Sequence, residues 1–176
     1  MRGLRTVAAA FHVLAAPLAA QSVTPVALHT ALVGHWVGTL EYKDYGDASK
    51  RVTLPTIVDI APRADGGTLL HFTYDDGPGK AVTGDDRFVL SADASALDWT
   101  GIRDTAPEIF RVVSLTRDGA NGIRLVVERE GDDDHKPATL RETISAGDSE
   151  ITILKEVRPT GAAFPFRHQY RLKRQR

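Results

Sequence analysis

The chain has 176 residues, and its 22 lysines and arginines nearly balance 23 aspartates and glutamates, for a formal net charge of −1. That balance excludes the basic footprint of a nucleic-acid binder. The absence of cysteine excludes a disulfide framework and thiol chemistry, and the length suits one domain with a sizeable core.

The first twenty residues have the form of an export signal. Arg2 and Arg5 make a basic start, residues 7–19 are apolar apart from His12 and Pro17, and Leu18-Ala19-Ala20 before Gln21 is a small-residue cleavage site. The apolar run is shorter than the roughly 20 residues a membrane-spanning helix needs. The expected division is therefore a signal peptide over 1–20 and a single domain over 21–176, in a periplasmic or secreted protein. A short helix is expected over 24–32, with Thr24 as N-cap and Pro25 as the first helical residue.

From residue 33 onward the dominant period is two. Candidate strands follow at 33–44, 51–60, 69–76 and 81–90, a short one around 97–99, then 108–117, 123–130, 138–145, 150–157 and 166–174. Gly77-Pro78-Gly79-Lys80 is a turn, since it lacks the form of a phosphate loop and no helix follows it. Asp118-Gly119-Ala120-Asn121-Gly122 is the clearest hairpin loop, and Gly131-Asp132-Asp133-Asp134 is expected to be an acidic loop. Pro55 within the second strand implies an edge, a bulge or a bend. Successive hairpins of this kind predict an all-β antiparallel up-and-down meander of about 8–10 strands. Closure into a barrel would remove its edges and leave room for a small ligand; a two-sheet sandwich is the alternative, and simple successive hairpins favour the barrel. An outer-membrane barrel should carry aromatic girdles, whereas aromatic residues make up only 7% here.

A short N-terminal turn, then Gly34-His35-Trp36 at the head of the first strand, then an up-and-down meander resembles the calycin superfamily, which includes lipocalins, fatty-acid-binding proteins and nitrobindin-like haem barrels. The wider layout is similar to small lipocalin-like exported bacterial proteins. The resemblance implies that Trp36 floors one end of the barrel and packs against a basic side chain near the last strand. Arg167, Arg171 and Arg174 are the candidates, with Arg171 preferred. It also implies a small hydrophobic or amphipathic ligand in the interior, with haem as a special case.

Alternation assigns further residues. Trp36 shares a face with Gly38, Leu40 and Tyr42, so Tyr42 is expected to line a cavity. His168 falls with Phe166, Tyr170 and Leu172 on the more apolar face of the last candidate strand, and Glu142 falls with Leu140 and Ile144. A buried carboxylate needs a partner, and the inward His168 or Tyr170 would serve. The candidate ligand-binding set is thus Tyr42, Glu142, His168 and Tyr170. His71 is expected on the opposite face, exposed or on a polar wall. Lys155 and Glu156 are expected to form cross-strand pairs on an outer face. No histidine pair has a metal-site spacing, and no nucleophile elbow or paired-carboxylate signature appears. The functional classes left are a small-molecule binding protein, a calycin-type enzyme, and a structural or interaction barrel with a filled core. Oligomeric state is not legible.

Overall fold

The computed structural model describes residues 23–44, 46–47, 49–101, 104–133, 135–159 and 163–175. The expected export signal over 1–20 lies outside the described residues. A short helix, α1 (Pro25–Leu32), precedes ten strands: β1 (Gly34–Lys43), β2 (Arg51–Pro62), β3 (Thr68–Asp75), β4 (Ala81–Leu90), β5 (Ala96–Thr100), β6 (Glu108–Asp118), β7 (Gly122–Asp133), β8 (Lys136–Ala146), β9 (Glu150–Pro159) and β10 (Phe166–Arg174). Each strand pairs antiparallel with its sequence neighbour, and β1 pairs with β10 to close the barrel. The meander and its closure are those expected from the two-residue period. One difference concerns the acidic loop: β7 and β8 run on through Asp133 and Lys136, so most of it is strand. Among the described residues, no helix is long and apolar enough to cross a membrane.

The helix begins as its sequence dictates. Thr24 accepts a hydrogen bond from the Ala27 amide at 3.2 Å, and Pro25 occupies the first turn, where its missing N–H costs nothing. Its buried Leu28 and Leu32 close one end of the barrel. Trp36 is fully buried beside them and donates its indole N–H to the Leu32 carbonyl at 2.8 Å.

The Gly-x-Trp-x-Gly segment is a floor with two clearances. The Arg174 guanidinium lies 4.0 Å above the Trp36 ring. It donates to the Val33 carbonyl at 2.6 Å, the Ala31 carbonyl at 2.9 Å and the Asp148 carbonyl at 2.9 Å. One cation thereby satisfies carbonyls at the C-terminal end of α1 and covers the indole face. Gly34 has φ +148°, and a Cβ there would stand 2.4 Å from Arg174 Nη1. A Cβ on Gly38 would stand 1.9 Å from the Arg171 carbonyl oxygen, so only glycine lets β10 approach β1.

Arg174, not Arg171, is therefore the basic partner of the floor tryptophan. Arg171 is exposed, in a groove on the outer face, and bonds to Gln169 at 3.0 Å. The reason is parity: Arg174 alternates with the inward Leu172 and Tyr170, whereas Arg171 alternates with Gln169 and Lys173.

Replacing Arg174 by Ala should destabilise the fold by about 2 kcal/mol, because charged hydrogen bonds and a desolvated cation–π contact are lost together. Arg171→Ala should stay within about 0.5 kcal/mol of the parent, as an exposed substitution. Urea unfolding of the two variants checks this, and equal losses would contradict the assignment.

Candidate functional site

The inward residues change character along the barrel axis. Near Trp36 they are apolar: Ile60, Leu70, Leu90, Leu97, Ile123, Leu125, Ile144, Ile151 and Leu172 are all buried. Toward the other end the same alternation turns inward Tyr42 of β1, Tyr74 of β3, Asp86 of β4, Trp99 of β5, Glu108 of β6, Arg129 of β7, Glu142 of β8, Lys155 of β9 and His168 with Tyr170 of β10.

Four of these form a continuous belt. Tyr42 is the cross-strand partner of His168, His168 of Lys155, and Lys155 of Glu142. The sequence-predicted residues Tyr42, Glu142, His168 and Tyr170 thus come together around the open end. Lys155 completes the row, and it corrects the expected outer-face placement: it alternates with buried Ile151, Ile153 and Val157. It does make a cross-strand pair, but inside. His71, expected outside, pairs at 2.6 Å with Asp85 and keeps about half its surface exposed.

A bulge separates Phe166 from His168 in the pairing of β10 with β9. Simple alternation would put Phe166 inside with His168. Instead the Phe166 ring lies under the exposed Arg51 guanidinium, 3.7 Å away. The bulge restarts the alternation, so His168 and not Phe166 heads the inward stripe.

Two adjoining chambers occupy this end. The wider, about 520 Å³, is lined by Leu40, Tyr42, Leu54, Tyr74, Asp76, Val82, His168 and Tyr170. The smaller, about 180 Å³, is lined by Asp86, Trp99, Gly101, Asp104, Glu108, Phe110, Glu142, Ile153, Lys155, His168 and Tyr170. His168 and Tyr170 face both.

The dividing wall is aromatic. The phenol oxygens of Tyr74 and Tyr170 are 2.9 Å apart, a hydrogen bond that spans the barrel from β3 to β10. Phe72 stacks on Tyr74 at 5.8 Å, and His168 meets Tyr170 edge-on at 5.7 Å. Burial raises the Tyr74 phenol to about 12. The Tyr170 phenol is also raised, by burial and then by neighbouring Tyr74, Asp86 and Glu142. Both phenols therefore keep their protons at neutral pH. Burial, with the positive charges of Lys155 and Arg167, pushes His168 down to about 3, so its imidazole is neutral.

Among the described residues, four carboxylates line the smaller chamber. Asp86 accepts from the Trp99 indole N–H at 2.9 Å, and Asp104 accepts from the Gly101 amide at 2.8 Å. Glu108 is paired with Arg129. Glu142 is 5% exposed; one carboxylate oxygen lies 3.5 Å from Lys155 Nζ, and the other has no hydrogen-bond partner among the described residues. Burial raises Glu142 to about 7 despite Lys155. A buried carboxyl poised near neutrality in a cavity marks a candidate site rather than a stabilising pair. Asp133, at the end of β7, pairs with Arg167 at 3.3 Å. No three His, Asp or Glu side chains converge as a metal site among the described residues.

Sequence reasoning missed Tyr74, Asp86, Trp99, Glu108, Arg129 and Lys155. The signal available was parity: each continues a stripe of buried apolar residues, as Asp86 continues Leu90 and Phe88, and Arg129 continues Leu125 and Val127.

Fold and site together define a closed ten-stranded antiparallel barrel, floored at one end and carrying a polar, two-chambered site at the other. No protein-family model matches the chain, and comparison with curated proteins finds no match. Among solved structures, the crystal structure of Rv2717c from M. tuberculosis is similar, with a TM-score of 0.60 at 14% identity, over 89% of this chain and 100% of that one. At that identity the likeness is one of fold.

His168 and Glu142 impose opposite pH dependences. Below its ordinary value of 6.5, His168 takes a proton more readily when unfolded, so stability falls as pH drops toward about 3. Glu142 is raised from 4.5 to about 7, so its burial costs stability as pH rises through that window. His168→Asn should therefore gain on the parent as pH falls from about 6.5 to 4, and Glu142→Gln should gain as pH rises from about 5 to 8. Denaturant midpoints across pH measure both, and differences that stay flat would contradict the burial described.

Proposed function

We propose that this chain is an exported, calycin-like binding protein that holds a small amphipathic molecule in the open end of its barrel. The observation that carries the proposal is the lining of the wider chamber. Leu40, Leu54 and Val82 give it apolar contacts beside the polar Tyr42, Tyr74, Asp76, His168 and Tyr170. Concave sites with apolar walls and a few convergent polar groups are the usual form of a small-molecule site. Chambers of about 520 and 180 Å³ argue against a barrel with a filled core. The basic start, apolar run and Ala19-Ala20 end of the first twenty residues support export. Haem is one occupant that His168 fits, since a neutral imidazole can give a ring nitrogen to iron.

Native mass spectrometry of the protein purified from its own cells should show a small-molecule adduct on a chain that begins near Gln21. Trp99, in the wall of the smaller chamber, should change its fluorescence when that molecule is removed and restored. Absence of any adduct, together with no response to a panel of small amphipathic probes, would sink the proposal. A Soret shift on hemin addition that His168→Ala abolishes would assign haem.

A further inference from the structure

The inner wall of the wider chamber is polar, yet it offers an ionised ligand no fixed counter-charge. Tyr74, Tyr170 and the neutral His168 form that wall. The cations nearest His168 are already paired, Lys155 at 3.5 Å from Glu142 and Arg167 at 3.3 Å from Asp133. Among the described residues, the one carboxylate of the lining is Asp76, which is exposed at the rim, where an ion pair contributes little. The connections β1–β2 and β9–β10 also contain Tyr45, Ala48, Thr160, Gly161 and Ala162, which lie outside the described residues and bring no charge. A head group of either sign would leave water here without compensation.

What the inner wall supplies is hydrogen bonding between uncharged groups. One phenol of the Tyr74–Tyr170 pair donates to the other at 2.9 Å, so the accepting phenol keeps its own O–H. Neither ring nitrogen of His168 bonds to another described residue. A neutral imidazole has one donor nitrogen and one acceptor nitrogen. A hydroxyl suits both partners, since it donates or accepts as each requires, whichever tautomer and whichever phenol orientation is present.

The wall is also aromatic. Phe72 lies 5.2 Å from Tyr170 and stacks on Tyr74 at 5.8 Å, and His168 stands edge-on to Tyr170 at 5.7 Å. A flat ring set against such rings gains contacts beyond the area it buries. The volume of about 520 Å³ is within the range of small-molecule sites.

Resting on the binding role proposed above, we propose that the ligand is an uncharged hydroxyaromatic, a phenol or an aromatic alcohol, whose hydroxyl meets His168 and the Tyr74–Tyr170 pair and whose ring lies against Leu40 and Leu54. The ligand stays within the wider chamber, and no bond is made or broken. His168 is the residue that decides the preference for a hydroxyl, and Tyr170 supports it.

The test uses four probes with one ring system: 2-naphthol, naphthalene, 2-naphthoate and 2-naphthylmethylamine, titrated by calorimetry into the purified protein at neutral pH. The naphthol is then uncharged, since phenols keep their proton until about pH 10, while the naphthoate is an anion and the amine a cation. 2-Naphthol should bind about tenfold or more tighter than either ion, because only the ions lose hydration without a partner. It should bind about fivefold tighter than naphthalene, the size of one net hydrogen bond. His168→Phe keeps a flat ring and removes both nitrogens, and it should bring naphthol down to the level of naphthalene; Tyr170→Phe should do so in part. Either ion binding as tightly as 2-naphthol, or a naphthol preference that survives both substitutions, would overturn the inference and leave the binding role standing. If none of the four probes binds, the inference falls, and the binding role falls with it only where native mass spectrometry also shows no adduct. The comparison among probes within the parent protein needs no variant, so it decides the question even if a substituted chain fails to fold.

Discussion

Everything in this barrel hangs from the guanidinium of Arg174 lying on the indole of Trp36. The contact joins the head of the first strand to the tail of the last, and it ties both to the end of α1. From it the register of β1 against β10 runs unbroken through Leu40 with Tyr170 to Tyr42 with His168. The floor thus sets which residues stand beside one another at the far end. A slip of one residue in this seam would turn His168 and Tyr170 to solvent.

The two halves of the interior have opposite energetics. Around the floor, fully buried Phe88, Leu97, Phe110, Leu125, Ile151 and their neighbours supply the hydrophobic stabilisation. At the open end, Glu142 with Lys155 is taken from water into a narrow space, where mutual attraction does little more than offset desolvation, while the pair of Glu108 with Arg129 keeps part of its surface in water. The closed half carries the open half, whose charged groups add little to stability.

Much of this was legible in the chain. Ten strands, their order and most of their ends follow from alternation and turn residues, and the inward facing of Tyr42, Glu142, His168 and Tyr170 follows from the same rule. Lys155 was misplaced, and Arg171 preferred to Arg174, for a common reason: charge was read instead of parity. Both continue apolar stripes, Lys155 with Ile151 and Ile153, Arg174 with Leu172. Phe166 failed differently, because an inserted residue in β10 leaves no mark on the local pattern. The meeting of Asp86, Glu108 and Glu142 could not be read at all. They lie on β4, β6 and β8, and their common depth depends on the stagger of the closed sheet.

The seam between first and last strands also sets a timetable. Tyr42 and His168 are supplied by the two ends of the chain, and so are Trp36 and Arg174. Neither floor nor belt exists on a nascent chain until the final strand has been made. Local hairpins from β2 to β9 can pair as they appear, but the contacts that close the ring are those of greatest sequence separation, which form late and slowly. The open-end chambers and the closed ring are then completed by the same event, and a chain interrupted before β10 would present a curled sheet with two raw edges and no pocket.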